Sequence, residues 1–205
     1  TIINALCRFY EINKGDILFD GQSIKDINKF DLRKQIALVQ QDVFLFSGKV
    51  IDNIRLGNVQ MRQEEIQSIS TAVNSHNFIN NFPLKYEQEL IEGGGSISSG
   101  QRQLLSFARA LAVKPQILVL DEATSSVDMD TERQIKNGIK EMTRGRTSII
   151  IAHRLSTLMH VDKVLVLKNG KIIEFGKRNE LLQQRGIFYK LCQAQIKSEQ
   201  FSAEQ

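Results

Sequence analysis

The chain has 205 residues, of which 41% are hydrophobic and 24% are charged, the composition of an ordinary globular domain. No apolar run approaches the roughly 20 residues that cross a bilayer, so any membrane connection must come through a partner or another segment. The net charge of +4 comes from basic residues interleaved with acids, which argues against a nucleic-acid-binding patch. The two cysteines, Cys7 and Cys192, lie far apart, and we expect both to be unpaired.

Hydrophobic periodicity divides the chain into alternating helices and strands. Four segments have the apolar spacing of helices: 1–10, 62–82, 101–113 and 131–142. Four short apolar runs are typical of strands: 16–20, 36–40, 116–120 and 147–152. Asn169-Gly170 predicts a hairpin over 163–175, followed by two helices and a polar tail from 197 that we expect to fray. The alternation predicts an α/β domain with a largely parallel sheet.

Polar residues follow three of the predicted strands: Gln41, Asp121 with Glu122, and His153. In parallel sheets the chemistry lies beyond the carboxyl ends of the strands. A carboxylate there can hold Mg²⁺, and a second one can orient or deprotonate water. The alternative is that either acid only caps the next helix or lies in solvent.

Small polar residues precede the predicted helix over 101–113, in the segment Ile97-Ser98-Ser99-Gly100-Gln101. The free N–H groups and the dipole of a helix N-terminus form a site for an anion. The competing interpretation is an ordinary serine N-cap.

In this order and spacing, the motifs resemble those of the ATP-binding cassette (ABC) family over nearly the whole chain. The matching segments are 39–42 (V-Q-Q-D) as the Q-loop, 97–101 as the signature motif L-S-G-G-Q, 117–122 (I-L-V-L-D-E) as the Walker B strand, 123–128 (A-T-S-S-V-D) as the D-loop and 151–154 (I-A-H-R) as the switch-histidine segment. The resemblance implies a P-loop NTPase-type, largely parallel sheet flanked by helices, with an inserted helical subdomain that carries the signature motif. It places that subdomain at about 50–113, the core at 1–49 and 114–192, and a polar tail at 193–205.

The resemblance also implies ATP and Mg²⁺ as cofactors and assigns the site residues by position. Glu122 would polarise the hydrolytic water, His153 would contact the γ-phosphate, and Gln41 would sense Mg²⁺ and the γ-phosphate. Asp121, with Gln41, would hold the metal. The remaining nucleotide contacts would come from Thr1, Ser98, Ser99, Gly100, Gln101 and Asp128. Asp128 has a competing role as the N-cap of the helix that follows it.

Two partners follow from the resemblance: a second cassette, whose nucleotide would face this signature motif, and a transmembrane domain. The exporter-like segment 43–54 (V-F-L-F-S-G-K-V-I-D-N-I) would place Phe44, Leu45 and Phe46 in a socket for that domain, on the cytoplasmic face of a membrane. The signature departs from the family pattern at Ile97 and at Ser99, which adds a Cβ where backbone approaches phosphate.

Thr1 to Asn4 resembles the end of the family's phosphate-binding loop and the helix that follows it. We therefore expect that loop to lie upstream, and residues 1–205 alone to bind ATP weakly or not at all and to be inactive. Two alternatives to a hydrolysing exporter cassette remain. One is a mainly regulatory half of a heterodimeric exporter. The other is a soluble ABC ATPase of DNA repair or translation, which the exporter-like segment 43–54 and the lack of a coiled-coil insertion disfavour.

Overall fold

A computed structural model describes residues 1–56, 58, 60–121, 128–152, 158 and 161–203, with side chains up to residue 195. The chain forms two compact units, Thr1–Ile151 and Ala152–Gln205. Within the described residues, none of the helices has the length and apolarity needed to span a membrane.

The elements alternate as the sequence predicts, with short additions. The helices of the described part are α1 Ile2–Leu6, α2 Lys29–Lys34, α3 Val50–Arg55, α4 Gln63–Ala72, α5 His76–Asn80, α6 Ser99–Ala112, α7 Met129–Thr143, α8 Arg178–Gln184 and α9 Ile187–Ala203. The strands there are β1 Leu18–Phe19, β2 Gln22–Ser23, β3 Ile36–Val39, β4 Gly48–Lys49, β5 Glu89–Leu90, β6 Ile117–Asp121, β7 Thr147–Ile151, β8 Val164–Lys168 and β9 Lys171–Gly176.

A parallel sheet in the order β3-β6-β7 forms the centre of the first unit. Strands β3 and β6 are apolar on both faces because helices cover each face, whereas β7 is only partly buried. Alternate residues of β3 and β6 therefore belong to different cores. Ala37 and Leu118 pack on the side of α6 and α7, and Ile36 and Val119 pack with residues of α1 and α2. The predicted α/β class with a parallel sheet is confirmed.

The second unit contains the predicted hairpin and both terminal helices. β8 pairs with β9 in antiparallel fashion, and Asn169 and Gly170 adopt φ values of 52° and 74° at the turn between them, as a two-residue hairpin loop requires. Val164 and Val166 pack with Leu181 of α8 and Phe188 of α9. Cys192 is buried in this core and Cys7 in the first unit, and both are unpaired, as predicted.

Two predicted boundaries are wrong. The helix predicted to reach Tyr10 ends at Leu6, because Arg8 turns left-handed at φ 50°. The Phe9 amide then bonds to the Asn4 carbonyl at 2.9 Å, which is the closing bond of a Schellman motif. The tail expected to fray from residue 197 continues α9 to Ala203, since no glycine or proline interrupts that stretch.

The close approach of α7 to its neighbours depends on Gly138. A Cβ on this residue would lie 3.2 Å from both the Phe107 ring and the Val73 carbonyl oxygen. We expect Gly138→Val to lower the free energy of unfolding by about 2 kcal/mol through overpacking. Chemical denaturation measures this loss, and Asn137→Val, at an exposed position of the same helix, is the control. Equal stability of the two variants would contradict the tight contact.

Candidate functional site

The carboxyl ends of the central strands bring two of the predicted site residues together. Val39 of β3 pairs with Leu120 of β6, so Asp121 lies level with Gln40 and next to Gln41. Adjacent strands are about 4.8 Å apart. Asp121 is the last residue of β6 and is half-buried, whereas Gln41 is exposed in a bend. The edge thus offers a carboxylate and an amide at neighbouring strand ends.

The third strand of the sheet ends at the same edge. Ile151, the last residue of β7, pairs with Asp121. His153 and Glu122, the two other predicted catalytic residues, lie outside the described residues, as do 123–127 of the predicted D-loop. Thr1 is exposed at the start of α1 and makes no side-chain cap bond. Its predicted nucleotide contact stays a prediction.

The predicted signature motif forms the first turn of α6. Ser98 is the N-cap: its hydroxyl accepts the Gln101 amide at 3.2 Å, and Gln101 Oε1 accepts the Ser98 amide at 3.0 Å. This reciprocal pair is a capping box. It satisfies two of the four amides at the helix start, those of Ser98 and Gln101, and leaves those of Ser99 and Gly100 without an acceptor inside the helix. The predicted serine cap is confirmed, and an anion contact at the same turn stays a prediction.

Asp128 caps α7 in the same way. Its Oδ1 accepts the Thr131 amide at 2.9 Å, and that hydrogen bond is the main reason that the pKa of Asp128 lies below its ordinary value. The predicted N-cap role is confirmed. A nucleotide contact by the same residue stays a prediction.

The helices α6 and α7, both capped at their N-termini, pack against each other. α6 leads into β6 and α7 into β7 across short connections, and β6 and β7 are parallel. Phe107 of α6 meets Gly138 of α7, eight and nine residues from the respective first residues of the helices. The two helices therefore meet at similar distances from their capped ends.

The side chain of Arg102 holds the loop that precedes the first turn of α6. Arg102 Nη1 donates to the carbonyl of Ile97 at 2.9 Å and to that of Gly94 at 3.3 Å. Gly94 has φ +68°, and a Cβ there would lie 2.9 Å from Leu45 Cδ1. Only glycine fits such a position without strain.

Only two of the three residues predicted to form the socket lie at the surface. Phe44 and Phe46 are 50% and 52% exposed, but Leu45 is fully buried and belongs to the core rather than to a docking face. Sequence reasoning also missed Arg109 and Asn53, which hold this segment. The sequence does carry a signal for Arg109, because this residue is a cation within the apolar stretch L-L-S-F-A-R-A-L-A.

The carboxylate and the backbone amides described above are groups that suit Mg²⁺ and a polyphosphate. Among the described residues no cluster of three or more acids, histidines or cysteines could hold a metal alone. Mg²⁺ does not need one, because it usually keeps several waters and binds one or two carboxylates together with substrate phosphates. Asp121 would supply such a carboxylate, and amides without an acceptor inside the helix, as at Ser99 and Gly100, suit phosphate oxygens.

The family profile described as ABC transporter matches residues 1–125. The chain belongs to the ABC transporter family. Its relatives include an ABC transporter ATP-binding protein of Bacillus subtilis, YfiC, 44% identical over 196 residues, or 96% of this chain and 32% of the relative. The ATP-dependent lipid A-core flippase of Syntrophus aciditrophicus is 41% identical over 204 residues, or 100% of this chain and 34% of the flippase.

A solved ABC exporter has the same fold. A bacterial Atm1-family exporter with ATP bound superimposes with a TM-score of 0.87 at 35% identity, covering 95% of this chain and 34% of that one. A fatty acid ABC transporter of Mycobacterium bovis, named as an ATP-binding/permease protein, is 44% identical over 194 residues, or 95% of this chain and 31% of the relative. The chain thus spans about a third of the length of its relatives.

Proposed function

We propose that the chain is the ATP-binding and ATP-hydrolysing domain of an ABC exporter, which couples hydrolysis to transport across a membrane. The observation that carries the proposal is the parallel register Val39–Leu120–Ile150. It sets Asp121 at the strand edge between Gln41 and the end of β7. The names of the relatives, a flippase and an ATP-binding/permease protein among them, support the transport role.

In this proposal each predicted site residue has one task. Bound Mg²⁺ would neutralise charge on the transferred phosphoryl group. Asp121 would bind that ion. Gln41 would respond to the bound ion and pass the change on to the residues that follow it in the chain. Glu122 accepts a proton from the attacking water, and His153 donates a hydrogen bond to the oxygen on which charge develops.

The capped turn of α6 serves the nucleotide of a second cassette. Its free amides at Ser99 and Gly100 carry no charge of their own, but the helix dipole favours an anion there. The Cβ of Ser99 is small, and its hydroxyl adds a donor in place of the close approach that glycine allows. We infer a dimer of cassettes, with two nucleotides enclosed between them.

The membrane partner is a transmembrane domain, as in the relatives named ATP-binding/permease proteins. Phe44 and Phe46, whose rings meet edge to face at 5.1 Å between centroids, offer it an exposed aromatic pair. We place the ATP-binding domain itself on the cytoplasmic face of the membrane. The alternatives, a regulatory half or a soluble cassette of DNA repair or translation, gain nothing from the comparisons.

The proposal is tested by ATP hydrolysis of the native protein in lipid vesicles. We expect hydrolysis that requires Mg²⁺, and we expect Asp121→Asn to raise the Mg²⁺ concentration for half-maximal activity about tenfold. Asp162→Asn, at an exposed acid of the second unit, is the control. Hydrolysis that is indifferent to Mg²⁺, or an unchanged Mg²⁺ requirement in Asp121→Asn, would contradict the proposed function.

A further inference from the structure

Arg109, near the C-terminal end of α6, carries a half-buried charge bonded to oxygens that are not carboxylates. Its guanidinium donates to the carbonyls of Phe44 at 2.8 Å and Asn53 at 2.9 Å, and to Asn53 Oδ1 at 3.0 Å. In the described part of the chain no carboxylate pairs with it. Burial lowers the pKa of Arg109, although it stays charged at any physiological pH. A charge placed here costs desolvation that an apolar residue would not.

Asn53 completes the connection. It is 3% exposed. Its Oδ1 accepts the Phe46 amide at 2.9 Å, and its Nδ2 donates to the carbonyls of Phe46 at 2.9 Å and Lys49 at 3.2 Å. Every polar atom of the side chain is therefore used, and all of its backbone partners lie in the segment 44–49 that follows Gln41.

A second set of contacts ties the same segment to the other end of α6. The Leu45 carbonyl accepts the Gly93 amide at 2.9 Å, and the Leu45 side chain packs against Gly94. Arg102, in the first turn of α6, donates to the Gly94 carbonyl. Segment 44–49 is thus fixed at the end of α6 that carries the signature turn and, through Arg109, at the opposite end.

The three hydrogen bonds made at position 109 require an arginine rather than another cation. Its planar fork reaches three acceptors in two directions at once, whereas a lysine ammonium on a flexible stem does not reproduce that geometry. Arg109 also lies 5.7 Å from the centre of the Phe46 ring, within the range of a cation–π contact. The exposed aromatic pair is therefore held by the same guanidinium that is anchored in α6.

We propose that Arg109 and Asn53 are a positioning pair for ATP hydrolysis. They hold the Phe44–Phe46 pair, which follows Gln41 in the chain, in fixed register with α6, so that a displacement at the aromatic pair reaches the signature turn. The inference rests on the proposed function, and neither residue touches nucleotide. Their contribution therefore falls on kcat, whereas the KM for ATP depends on groups that bind the nucleotide itself.

Steady-state hydrolysis by the native protein tests the pair. We expect Arg109→Lys and Asn53→Ala each to lower kcat about tenfold with KM for ATP within about twofold, since small misplacements of reacting groups are costly. The double variant should be no slower than the slower single variant, because both changes break one network. Ile54→Val is the matched control, since it trims a fully buried neighbour on α3 without removing a hydrogen bond. A kcat in Arg109→Lys equal to that of Ile54→Val, at equal melting temperature, would overturn the proposal.

Amide exchange of the nucleotide-free protein tests the same pair without relying on hydrolysis. In Arg109→Lys, exchange should be faster by about tenfold in peptides covering 42–49 and 89–95, as local opening becomes easier, while the central strands stay unchanged. Equal exchange in wild type and variant, or a uniform increase over the whole chain, would overturn the coupling. If the native protein does not hydrolyse ATP, the proposed function fails, and this measurement still decides the role of Arg109.

Discussion

Glu122→Gln in the native protein is expected to lower kcat for ATP hydrolysis about 10³-fold, the range that a general base contributes. Glutamine has nearly the same shape as glutamate but cannot take a proton from water at neutral pH. Binding of Mg²⁺ and ATP should therefore persist, and unhydrolysed ATP should accumulate on the protein. Single-turnover measurement of ATP and ADP on the isolated protein separates the lost chemical step from lost binding.

The matched control is Glu141→Gln, which makes the same chemical change at an exposed position of α7. It should leave kcat within about twofold, as most exposed substitutions do little. A Glu122→Gln protein that hydrolyses ATP at the wild-type rate would remove Glu122 as the base. The proposed mechanism would then need another acceptor at the strand edge.

Ser98→Arg is expected to reduce hydrolysis by about 10²-fold or more, the usual effect of losing donors aimed at developing charge. The long side chain obstructs the amides at Ser99 and Gly100, and the Ser98 hydroxyl no longer accepts the Gln101 amide. The lost cap by itself costs only about 1 kcal/mol of stability. Hydrolysis should therefore fall much further than stability, as measured by kcat/KM and by thermal melting of the same preparation.

Asn28→Arg is the control for the lost cap. Asn28 caps α2 by accepting the Phe30 amide at 2.9 Å, so its replacement removes a comparable bond at a helix with no proposed role in catalysis. We expect this variant to melt slightly earlier and to keep its hydrolysis. If Ser98→Arg and Asn28→Arg lose activity equally, the first turn of α6 has no special part in the reaction.

Sequence alone predicted the elements that have a strong period and the positions of Gln41 and Asp121 at neighbouring strand ends. Strands β3 and β6 are apolar on both faces, and such runs are difficult to place anywhere except in a covered parallel sheet. The proximity of Gln41 and Asp121 follows directly from that sheet. The caps at Ser98 and Asp128 were also foreseen, since a small polar residue before an amphipathic run is a local signal.

Short elements and long-range polar contacts could not be predicted. Helices α2 and α3 have six residues each, too few for a periodic pattern and too short to be stable without tertiary packing. Leu45 looks like its aromatic neighbours in sequence, but it alone of the three points into the core. The bonds of Arg109 span 56 and 65 residues, and no local pattern specifies such partners.

The most direct measurement of the central claim is a structure of the native Glu122→Gln protein with Mg²⁺ and ATP. Asp121 and Gln41 of one cassette should lie at the metal and the terminal phosphate, and the backbone amides at Ser99 and Gly100 that contact this phosphate should belong to another cassette. Nucleotide bound away from the ends of β3 and β6, or contacted by the α6 turn of its own copy, would contradict the account.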